Sequence, residues 1–213
     1  MKTRFLQANG LRFHIAEAGD PKQPLVLLLH GFPEFHYGWR KQIDVLAAAG
    51  YYVVAPDQRG YNLTEKPARI KDYHLDHLAA DVVALITTLG YEQAVVVGHD
   101  WGAAVAWWTA MFHPNAVVKL AILNVPHLAV MTNTLRRNPV QMLKSWYIAW
   151  FQLPWLPELV VRLGGYAVAK QALLLTSRRR TFSNAELAHY VDAWAQPHAF
   201  RSMLNWYLSL IHI

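Results

Sequence analysis

Short runs of consecutive apolar residues punctuate the chain up to residue 123. The four runs are Leu25–Leu29, Tyr51–Ala55, Ala94–Val97 and Val117–Leu123. Apart from Lys119 in the fourth run, these stretches are uninterrupted, and apolar runs of this length are typical of strands that are buried on both faces of a sheet. Alternating positions predict two further strands at Phe5–Gln7 and Leu11–Ala16, with Asn9 and Gly10 as the turn of a hairpin. The chain is therefore predicted to begin with a hairpin and to continue as a sheet of buried strands.

Helical periodicity fills the intervals between these runs. Apolar residues recur at helical spacing from Leu75 to Leu89, and Gly90 follows as a stop signal. The stretch Ala103–Phe112 is apolar on almost every side, as expected of a central buried helix. Because strands and helices alternate, the pattern predicts an α/β fold with a mostly parallel sheet and right-handed crossovers.

The pattern changes after Asn124, where no further strand is evident. Four helices are predicted, at Thr134–Phe151, Leu159–Ala172, Asn184–Trp194 and His198–Leu210. Proline residues break this region at positions 139, 154, 157 and 197. The interpretation is a division into residues 1–126, which form the α/β core, and residues 127–213, which form a helical lid.

Composition narrows the class of protein. The chain has 213 residues, of which 54% are hydrophobic and 16% charged, so we expect a sizeable core. The net charge of +6 includes one dense basic run, Arg178–Arg180, which is interpreted as a solvated surface rather than a nucleic-acid site. Cysteine is absent, which excludes disulfides and thiolate zinc sites. We expect no metal and no cofactor.

Membrane and targeting signals are weak in this sequence. The first twenty residues carry positive charge but no apolar h-region, and no apolar run approaches the ~20 residues that span a bilayer. We therefore expect no signal peptide, no stable membrane insertion and a cytoplasmic location. The oligomeric state is left open.

Three loops of small and polar residues follow the predicted strands: HGFPE at 30–34, DQRGY at 57–61 and GHDWG at 98–102. Ligands of open α/β sheets bind beyond the carboxyl ends of the strands, where such loops meet. The third loop has the pattern of a nucleophile elbow, G-x-S-x-G, with Asp100 in place of the serine. An ionised carboxylate needs no general base to act as a nucleophile, and its attack on carbon gives an ester. The alternative role for Asp100 is an N-cap of the following helix.

These loops, together with WFQLPWLPE at 150–158 and LNWY at 204–207, resemble the epoxide hydrolases of the α/β-hydrolase fold. The resemblance extends from about Phe5 to Tyr207; Asn62 and Thr64 depart from it, where the family often has Gly and Ser. It implies an α/β-hydrolase core, with its sheet flanked by helices, and a helical cap. It also implies that Asp100 opens an epoxide through an alkyl-enzyme ester to give a vicinal diol.

The resemblance assigns further site residues. The backbone N–H groups of Phe32 and Trp101 would form the oxyanion hole, and Tyr147 and Tyr207 would donate a proton to the epoxide oxygen. The predicted substrate pocket is lined by His30, Pro33, Trp146 and Phe151. The expected partners are a small lipophilic epoxide and water.

Other polar residues of these loops are given structural roles. His30 and His99 lie inside strand-end motifs, so we expect them to make structural hydrogen bonds rather than to act as general bases. Asp57 and Arg59 are expected to form an ion pair or to cap a loop.

The family also uses a late His and an acid to hydrolyse the ester. Six residues follow Tyr207, and Asn124 stands where some dehalogenases carry the acid. His212 lies too close to the lid helix for this role. The expectation is an incomplete chain that lacks the C-terminal core strands, turns over poorly and leaves Val117–Leu123 as an exposed edge.

Two alternatives stay open. A haloalkane or haloacid dehalogenase would share the Asp100 nucleophile and Trp101, although haloalkane enzymes prefer Asn at the position of Phe32 and lack the tyrosine pair. A non-catalytic ligand-binding relative would account for the missing His and acid, but not for an intact nucleophile and tyrosine pair.

Overall fold

The computed structural model describes residues 1–153 and 155–209, with Leu135 described by its backbone alone. The predicted helix break at Pro154, the predicted helix end at Leu210 and His212 lie outside these residues. Six strands form one sheet: β1 (Lys2–Ala8), β2 (Leu11–Ala18), β3 (Leu25–Leu29), β4 (Tyr52–Pro56), β5 (Ala94–His99) and β6 (Val117–Leu123). Their order across the sheet is β1-β2-β4-β3-β5-β6.

The hairpin and the parallel sheet are confirmed. Strands β1 and β2 pair antiparallel with Ala8 opposite Leu11, and β2 pairs antiparallel with β4. The pairs β4–β3, β3–β5 and β5–β6 are parallel. Asn9 and Gly10 have φ of 46° and 72°, which is the backbone of a two-residue turn that matches the twist of a hairpin.

Ten α-helices are described. They are α1 (Arg40–Ala48), α2 (Leu75–Thr88), α3 (Trp101–Phe112), α4 (Leu128–Arg137), α5 (Pro139–Lys144), α6 (Trp146–Trp150), α7 (Leu156–Leu163), α8 (Ala167–Thr176), α9 (Asn184–Ala195) and α10 (Ala199–Leu208). Short 3-10 turns lie at His36–Trp39, Ile70–Tyr73 and Pro114–Ala116. All regular structure after β6 in the described residues is helical, as the pattern predicts.

Two predicted helices were wrong in extent, and one helix was missed. The stretch 134–151 is three helices, because Asn138 accepts hydrogen bonds from the first turn of α5 and Pro139 opens that helix. The stretch 159–172 is two helices, because Gly165 and Tyr166 turn the backbone with φ of 57° and 62°. Helix α1 escaped detection because Ile43 is its single fully buried residue.

Hydrophobic cores lie on both faces of the sheet. Leu25, Leu27 and Leu29 of β3 pack into the larger core with α2, α3, α9 and α10. Val26 and Leu28 of the same strand face a smaller core beneath α1. Because successive side chains of a strand point to opposite faces, only a continuous apolar run can fill both layers.

Strand β6 lies at the edge of the sheet in the described part of the chain. Its residues alternate between partly buried and exposed, and Val118 is half exposed. Across the described residues, no single helix has the length and apolar composition needed to cross a membrane; taken together, α7 and α8 pass such a test but are bent by 92°.

Candidate active site

Asp100 lies at a sharp turn between β5 and α3. Its backbone has φ 53° and ψ −122°, a conformation that costs a non-glycine residue about 1–3 kcal/mol. A Cβ atom at Gly98 would lie 2.4 Å from the Gly102 carbonyl oxygen, and one at Gly102 would lie 2.2 Å from the Leu29 carbonyl oxygen. The two glycines therefore allow β5, α3 and β3 to approach closely enough to form this turn.

The carboxylate of Asp100 turns toward the loop after β3. Its Oδ1 accepts a hydrogen bond of 2.8 Å from the backbone N–H of Phe32. Gly31 leaves room for this contact, because a Cβ there would lie 2.3 Å from the Asp100 Cβ. Asp100 occupies the N-cap position of α3, yet its side chain makes no capping hydrogen bond of the usual kind. The carboxylate is therefore aimed at the strand ends rather than used as a helix cap.

The surroundings of Asp100 shift its ionisation in opposite directions. Burial raises the pKa of Asp100, and it outweighs the backbone N–H groups of Phe32 and Trp101 and the nearby His99, which lower it. Of the two N–H groups that the resemblance assigns to an oxyanion hole, that of Phe32 donates to the Asp100 carboxylate, and that of Trp101 is close enough to lower its pKa. They already stand where negative charge on this carboxyl group would need them.

An aromatic cluster gathers around Tyr207. Its ring centroid lies 5.2 Å from that of Phe32, 5.1 Å from that of Trp101 and 4.8 Å from that of Phe151. Tyr147 lies 6.3 Å from Tyr207, with the two ring planes inclined by 83°. Helix α6 and helix α10, which are distant in sequence, thus bring the two predicted tyrosines together beside the elbow.

The two tyrosines share the electrostatic field of the carboxylate. Burial raises the pKa of Tyr147 and raises that of Tyr207 strongly, and the charge of Asp100 contributes to both increases. Both phenols therefore stay protonated at neutral pH and are within electrostatic reach of Asp100. They differ in exposure: Tyr207 is 5% exposed and Tyr147 is 37% exposed.

Helix α10 is anchored to the core directly beside Tyr207. The buried indole Nε1 of Trp206 donates to the carbonyl oxygen of Arg59 over 3.0 Å. The Trp206 ring also packs edge-on against Trp101, with 5.7 Å between centroids. Tyr207 is thus positioned by its neighbour in sequence as well as by the rings around it.

Of the four predicted pocket residues, Phe151 joins the aromatic cluster. The carbonyl oxygen of Pro33 accepts a hydrogen bond of 2.6 Å from the indole of Trp194 on α9. Among the ring contacts of the described residues, His30 packs on Tyr61 and Trp146 has no part in the cluster. Trp146 is 65% exposed because it starts α6 on the solvent side.

His30 makes the structural hydrogen bonds expected of it. It is fully buried, its Nε2 accepts from the Gln58 backbone N–H at 3.0 Å, and its Nδ1 lies 3.0 Å from the Gly31 carbonyl oxygen. Burial lowers the pKa of His30 to about 4. A neutral ring held at both nitrogens supports the loop after β3.

Asp57 and Arg59 also have structural roles, as expected. The buried Asp57 carboxylate accepts from the imidazoles of His14 and His36 at 2.7 and 2.8 Å, and from the Asn62 amide at 2.7 Å. Arg59 pairs with the buried Asp81. The ligand atoms of His14, His36 and Asp57 lie within 4.8 Å of one another, a grouping that could hold a metal ion, but the hydrogen bonds already use them. The Asp57 carboxylate therefore joins strand β2 and the 3-10 turn after β3 to the loop after β4.

Sequence reasoning gave no role to a second polar group beside the elbow. Glu34 places Oε2 3.8 Å from Nδ1 of His99, and its Oε1 accepts from the Tyr190 hydroxyl at 3.1 Å. Asn124 Nδ2 lies 3.3 Å from the other His99 ring nitrogen. Burial raises the pKa of Glu34, and the Asp100 charge adds to that increase. The signal available was that Glu34 ends the first strand-end motif.

Comparison with known proteins places this geometry in a family. Residues 24–196 match the family model described as alpha/beta hydrolase fold. The AB hydrolase superfamily protein YfhM of Bacillus subtilis is 48% identical over 99% of this chain and 73% of its own length. Epoxide hydrolase 4 of Homo sapiens is 39% identical over 96% of this chain, which spans only 58% of the human protein.

Solved structures agree with the sequence matches. A mutant of an epoxide hydrolase from Bacillus megaterium, complexed with its product, superposes with a TM-score of 0.89 at 32% identity. The match covers 96% of this chain and 70% of that structure. The elbow, the sheet order and these similarities together show that the chain belongs to the α/β-hydrolase fold family, and within it to the epoxide hydrolases.

Proposed function

We propose that this chain opens a lipophilic epoxide by attack of Asp100 on a ring carbon, with Tyr147 and Tyr207 as the acids. The observation that carries the proposal is the carboxylate at the elbow, held by the Phe32 N–H at 2.8 Å and flanked by a tyrosine pair. A carboxylate at this position forms an ester on attack, and the two phenols supply the proton that an alkoxide needs.

The first step would conserve atoms and charge as follows. An Asp100 carboxylate oxygen donates an electron pair to an epoxide carbon, and the carbon–oxygen bond of the strained ring breaks. The released pair stays on the epoxide oxygen, which takes a hydrogen bond and then a proton from a tyrosine hydroxyl. The products are a hydroxyalkyl ester of Asp100 and a tyrosinate, which now carries the negative charge.

In the second step, water would add to the ester carbonyl and the acyl–oxygen bond would break. One proton of the water goes to the departing alkoxide, which leaves as the vicinal diol, and the other returns to the tyrosinate, so that the Asp100 carboxylate and the tyrosine are both restored. The backbone N–H groups of Phe32 and Trp101 would stabilise the oxyanion of the tetrahedral intermediate, since the first donates to this carboxyl group and both lower its pKa.

We further propose that residues 127–213 form a cap over the core. Two contacts support this for the described residues: Trp194 of α9 donates to the Pro33 carbonyl, and Glu186 of α9 pairs with Arg40 of α1. Tyr207 of α10 packs on Phe32 and Trp101 of the core. The site would then lie between the sheet ends and the cap.

The substrate class follows from the aromatic cluster. The faces and edges of Phe32, Trp101, Phe151 and Tyr207 favour an apolar or aromatic substituent on the epoxide. The Bacillus megaterium relative is complexed with a naphthyloxy-propane-diol as its product. A lipophilic aryl epoxide is the substrate that we propose.

Intact-mass spectrometry after incubation with styrene oxide tests the proposal. We expect a mass increase of one epoxide per chain, or a diol in solution, and peptide mapping of any adduct to Asp100. Asp100→Asn should abolish both products. Styrene oxide that is neither bound nor hydrolysed would contradict the proposal, and halide release from 1-chlorobutane would instead support a dehalogenase.

A further inference from the structure

Helices α6 and α10 must keep a fixed position relative to each other if Tyr147 and Tyr207 are to act on one oxygen atom. Tyr147 lies in α6, which has only five residues and no fully buried residue. Tyr207 lies in α10, in which eight of ten residues are fully buried. The position of Tyr147 therefore depends on the contacts that connect α6 to α10.

The rings alone give a weak constraint on that register. Phe151 packs on Tyr207 at 4.8 Å and on Tyr147 at 6.0 Å between centroids. Aromatic contacts of this kind tolerate a range of offsets and tilts. Ring contacts alone would therefore oppose a small displacement of α6 relative to α10 only weakly, although such a displacement would change the spacing of the two tyrosines.

One directional bond joins the two pieces. The side-chain Nε2 of Gln152 donates to the main-chain carbonyl oxygen of Tyr207 over 3.0 Å. Gln152 belongs to the turn that continues α6: its own N–H bonds to Ala149, and the N–H of Phe151 bonds to the carbonyl of Tyr147. The amide thus reaches from the turn behind Tyr147 to the backbone of Tyr207.

The orientation of this amide is fixed by its partner. The Oε1 atom of Gln152 is buried and has no hydrogen-bond partner among the described residues. A flipped amide would place Oε1 against the Tyr207 carbonyl, which is another acceptor, so only one orientation makes a bond. The side chain is therefore held by the Nε2 donor, and that donor determines the register.

We propose that Gln152 is a positioning residue for the tyrosine pair, with its amide locking the turn behind Tyr147 to the backbone of Tyr207. This inference rests on the role proposed above for the two tyrosines. Gln152 touches no reacting atom; it fixes the distance between the two proton donors. Loss of the bond should slow the ring-opening step while leaving the affinity for the apolar part of the epoxide unchanged.

The test uses the full chain labelled with 3-fluorotyrosine, in three variants. Gln152→Leu removes the donor with little change in volume, and Gln152→Glu keeps the shape while presenting only acceptors. Gln196→Leu is the matched control, since the Gln196 amide also bonds a main-chain carbonyl, that of Asp192, but only within its own turn. Tyr147→Phe and Tyr207→Phe assign the two fluorine resonances.

We expect the Tyr147 and Tyr207 resonances to shift or broaden in both Gln152 variants and to stay in place in the control. The rate of Asp100 alkylation at saturating styrene oxide should fall about tenfold in both Gln152 variants, with an unchanged half-saturating concentration. This split between rate and affinity separates positioning from a general loss of structure.

Unchanged fluorine resonances, or a wild-type alkylation rate in Gln152→Leu, would overturn the inference. Loss of cooperative thermal unfolding in both Gln152 variants would also overturn it, because Gln152 would then support the whole fold. If the wild-type chain is not alkylated at all, the proposed function fails, and the fluorine spectra still decide whether Gln152 fixes the two rings.

Discussion

The sheet and the helical region position the residues of the candidate site in different ways. Every residue of β3 and β4 is buried, whereas α5 and α6 have no buried residue. On the sheet side, Asp100 is positioned by the backbone, because Gly31, Gly98 and Gly102 let neighbouring segments approach more closely than a Cβ atom would allow. The helical region places the tyrosines through ring contacts and a few polar bonds. Asp100 is therefore positioned by the backbone of the sheet and its turn, Tyr207 by a largely buried helix, and Tyr147 by a small number of side-chain contacts.

The first prediction removes the negative charge of the fully buried Asp57 carboxylate, on the sheet side of the molecule. Asp57→Asn replaces a buried carboxylate, which accepts from His14, His36 and Asn62, with an amide that carries donors of its own. Breaking a buried charged network should lower the free energy of unfolding by about 3–5 kcal/mol. Urea denaturation followed by circular dichroism measures it.

Asp20→Asn is the control for this change, because the Asp20 carboxylate accepts one exposed local hydrogen bond, from the Lys22 N–H. If Asp57→Asn lowers the free energy of unfolding by less than about 1 kcal/mol, which is the range of a surface ion pair, the Asp57 hydrogen bonds do not hold β2 and the neighbouring loops together. The environment holds the pKa of Asp57 far below its ordinary range, chiefly through the two imidazoles that oppose the effect of burial. Its stabilisation is therefore fully present above the ordinary aspartate pKa and is lost as the pH falls.

The second prediction compares one glycine from each region. A Cβ at Gly102 would meet the Leu29 carbonyl oxygen at 2.2 Å, whereas one at Gly164 would meet its nearest atom at 3.6 Å. Gly102→Ala should cost about 3 kcal/mol, because the backbones of α3 and β3 must separate. Gly164→Ala should raise the free energy of unfolding, by less than about 1 kcal/mol, because alanine favours the helical conformation more than glycine does. Equal losses in the two variants, measured by thermal unfolding, would remove the contrast between the regions.

The third prediction loosens the contact between the regions. The Trp194 indole donates to the Pro33 carbonyl from a fully buried position. Trp194→Phe keeps an aromatic ring and leaves the carbonyl unpaired, which should cost about 1–3 kcal/mol. Amide hydrogen exchange should quicken in α9 and α10 more than in β3 and β5. Uniform quickening across both regions would show that they unfold as one unit.

Much of the sheet was predictable because burial on both faces leaves a direct trace in the sequence. The bounds of β3 and β6 agree with the predicted runs, and Asp100 lies at the turn between β5 and α3 that its motif predicted. The rule that apolar runs are buried on both faces does not extend to β6, for which an exposed edge was also expected: Val118 is apolar and half exposed. An apolar run reports strand propensity, and the position of the strand in the sheet decides how much of it is covered.

The helical region was predicted less well, because tertiary contacts decide its details. The turn at Tyr166 adopts a left-handed backbone that no local preference for tyrosine predicts. The pairing of Glu34 with His99, and of Gln152 with the Tyr207 backbone, joins residues that are far apart in sequence. The assignment of Trp146 to the pocket stays a prediction: its side chain is 65% exposed, and which side of α6 faces solvent depends on how the helix packs.

The smallest predicted effect concerns the ion pair between α1 and α9. Glu186 accepts from Arg40 Nε at 3.0 Å and from Nη2 at 2.5 Å. The Ser183 backbone N–H, then Arg40 and the Ser183 hydroxyl, lower the pKa of Glu186 to about 2. Because this folded-state pKa is depressed, the stabilisation is present above the ordinary glutamate value and is lost as the pH falls toward 2. Glu186→Gln should cost about 0.5–1 kcal/mol at pH 7, since the pair is partly exposed and screened by salt.

Denaturation of wild type and Glu186→Gln across pH 2–7 measures this contribution. The two curves should converge at the acid end, and 1 M salt should narrow the difference at pH 7. Glu158→Gln is the control within the helical region, because Glu158 pairs with Arg162 of its own helix. If Glu158→Gln and Glu186→Gln speed hydrogen exchange in α9 equally, the Arg40 contact does not tie the regions together. A selective effect of Glu186→Gln on α9 would show that even a partly exposed ion pair helps to hold the helical region against the rigid sheet.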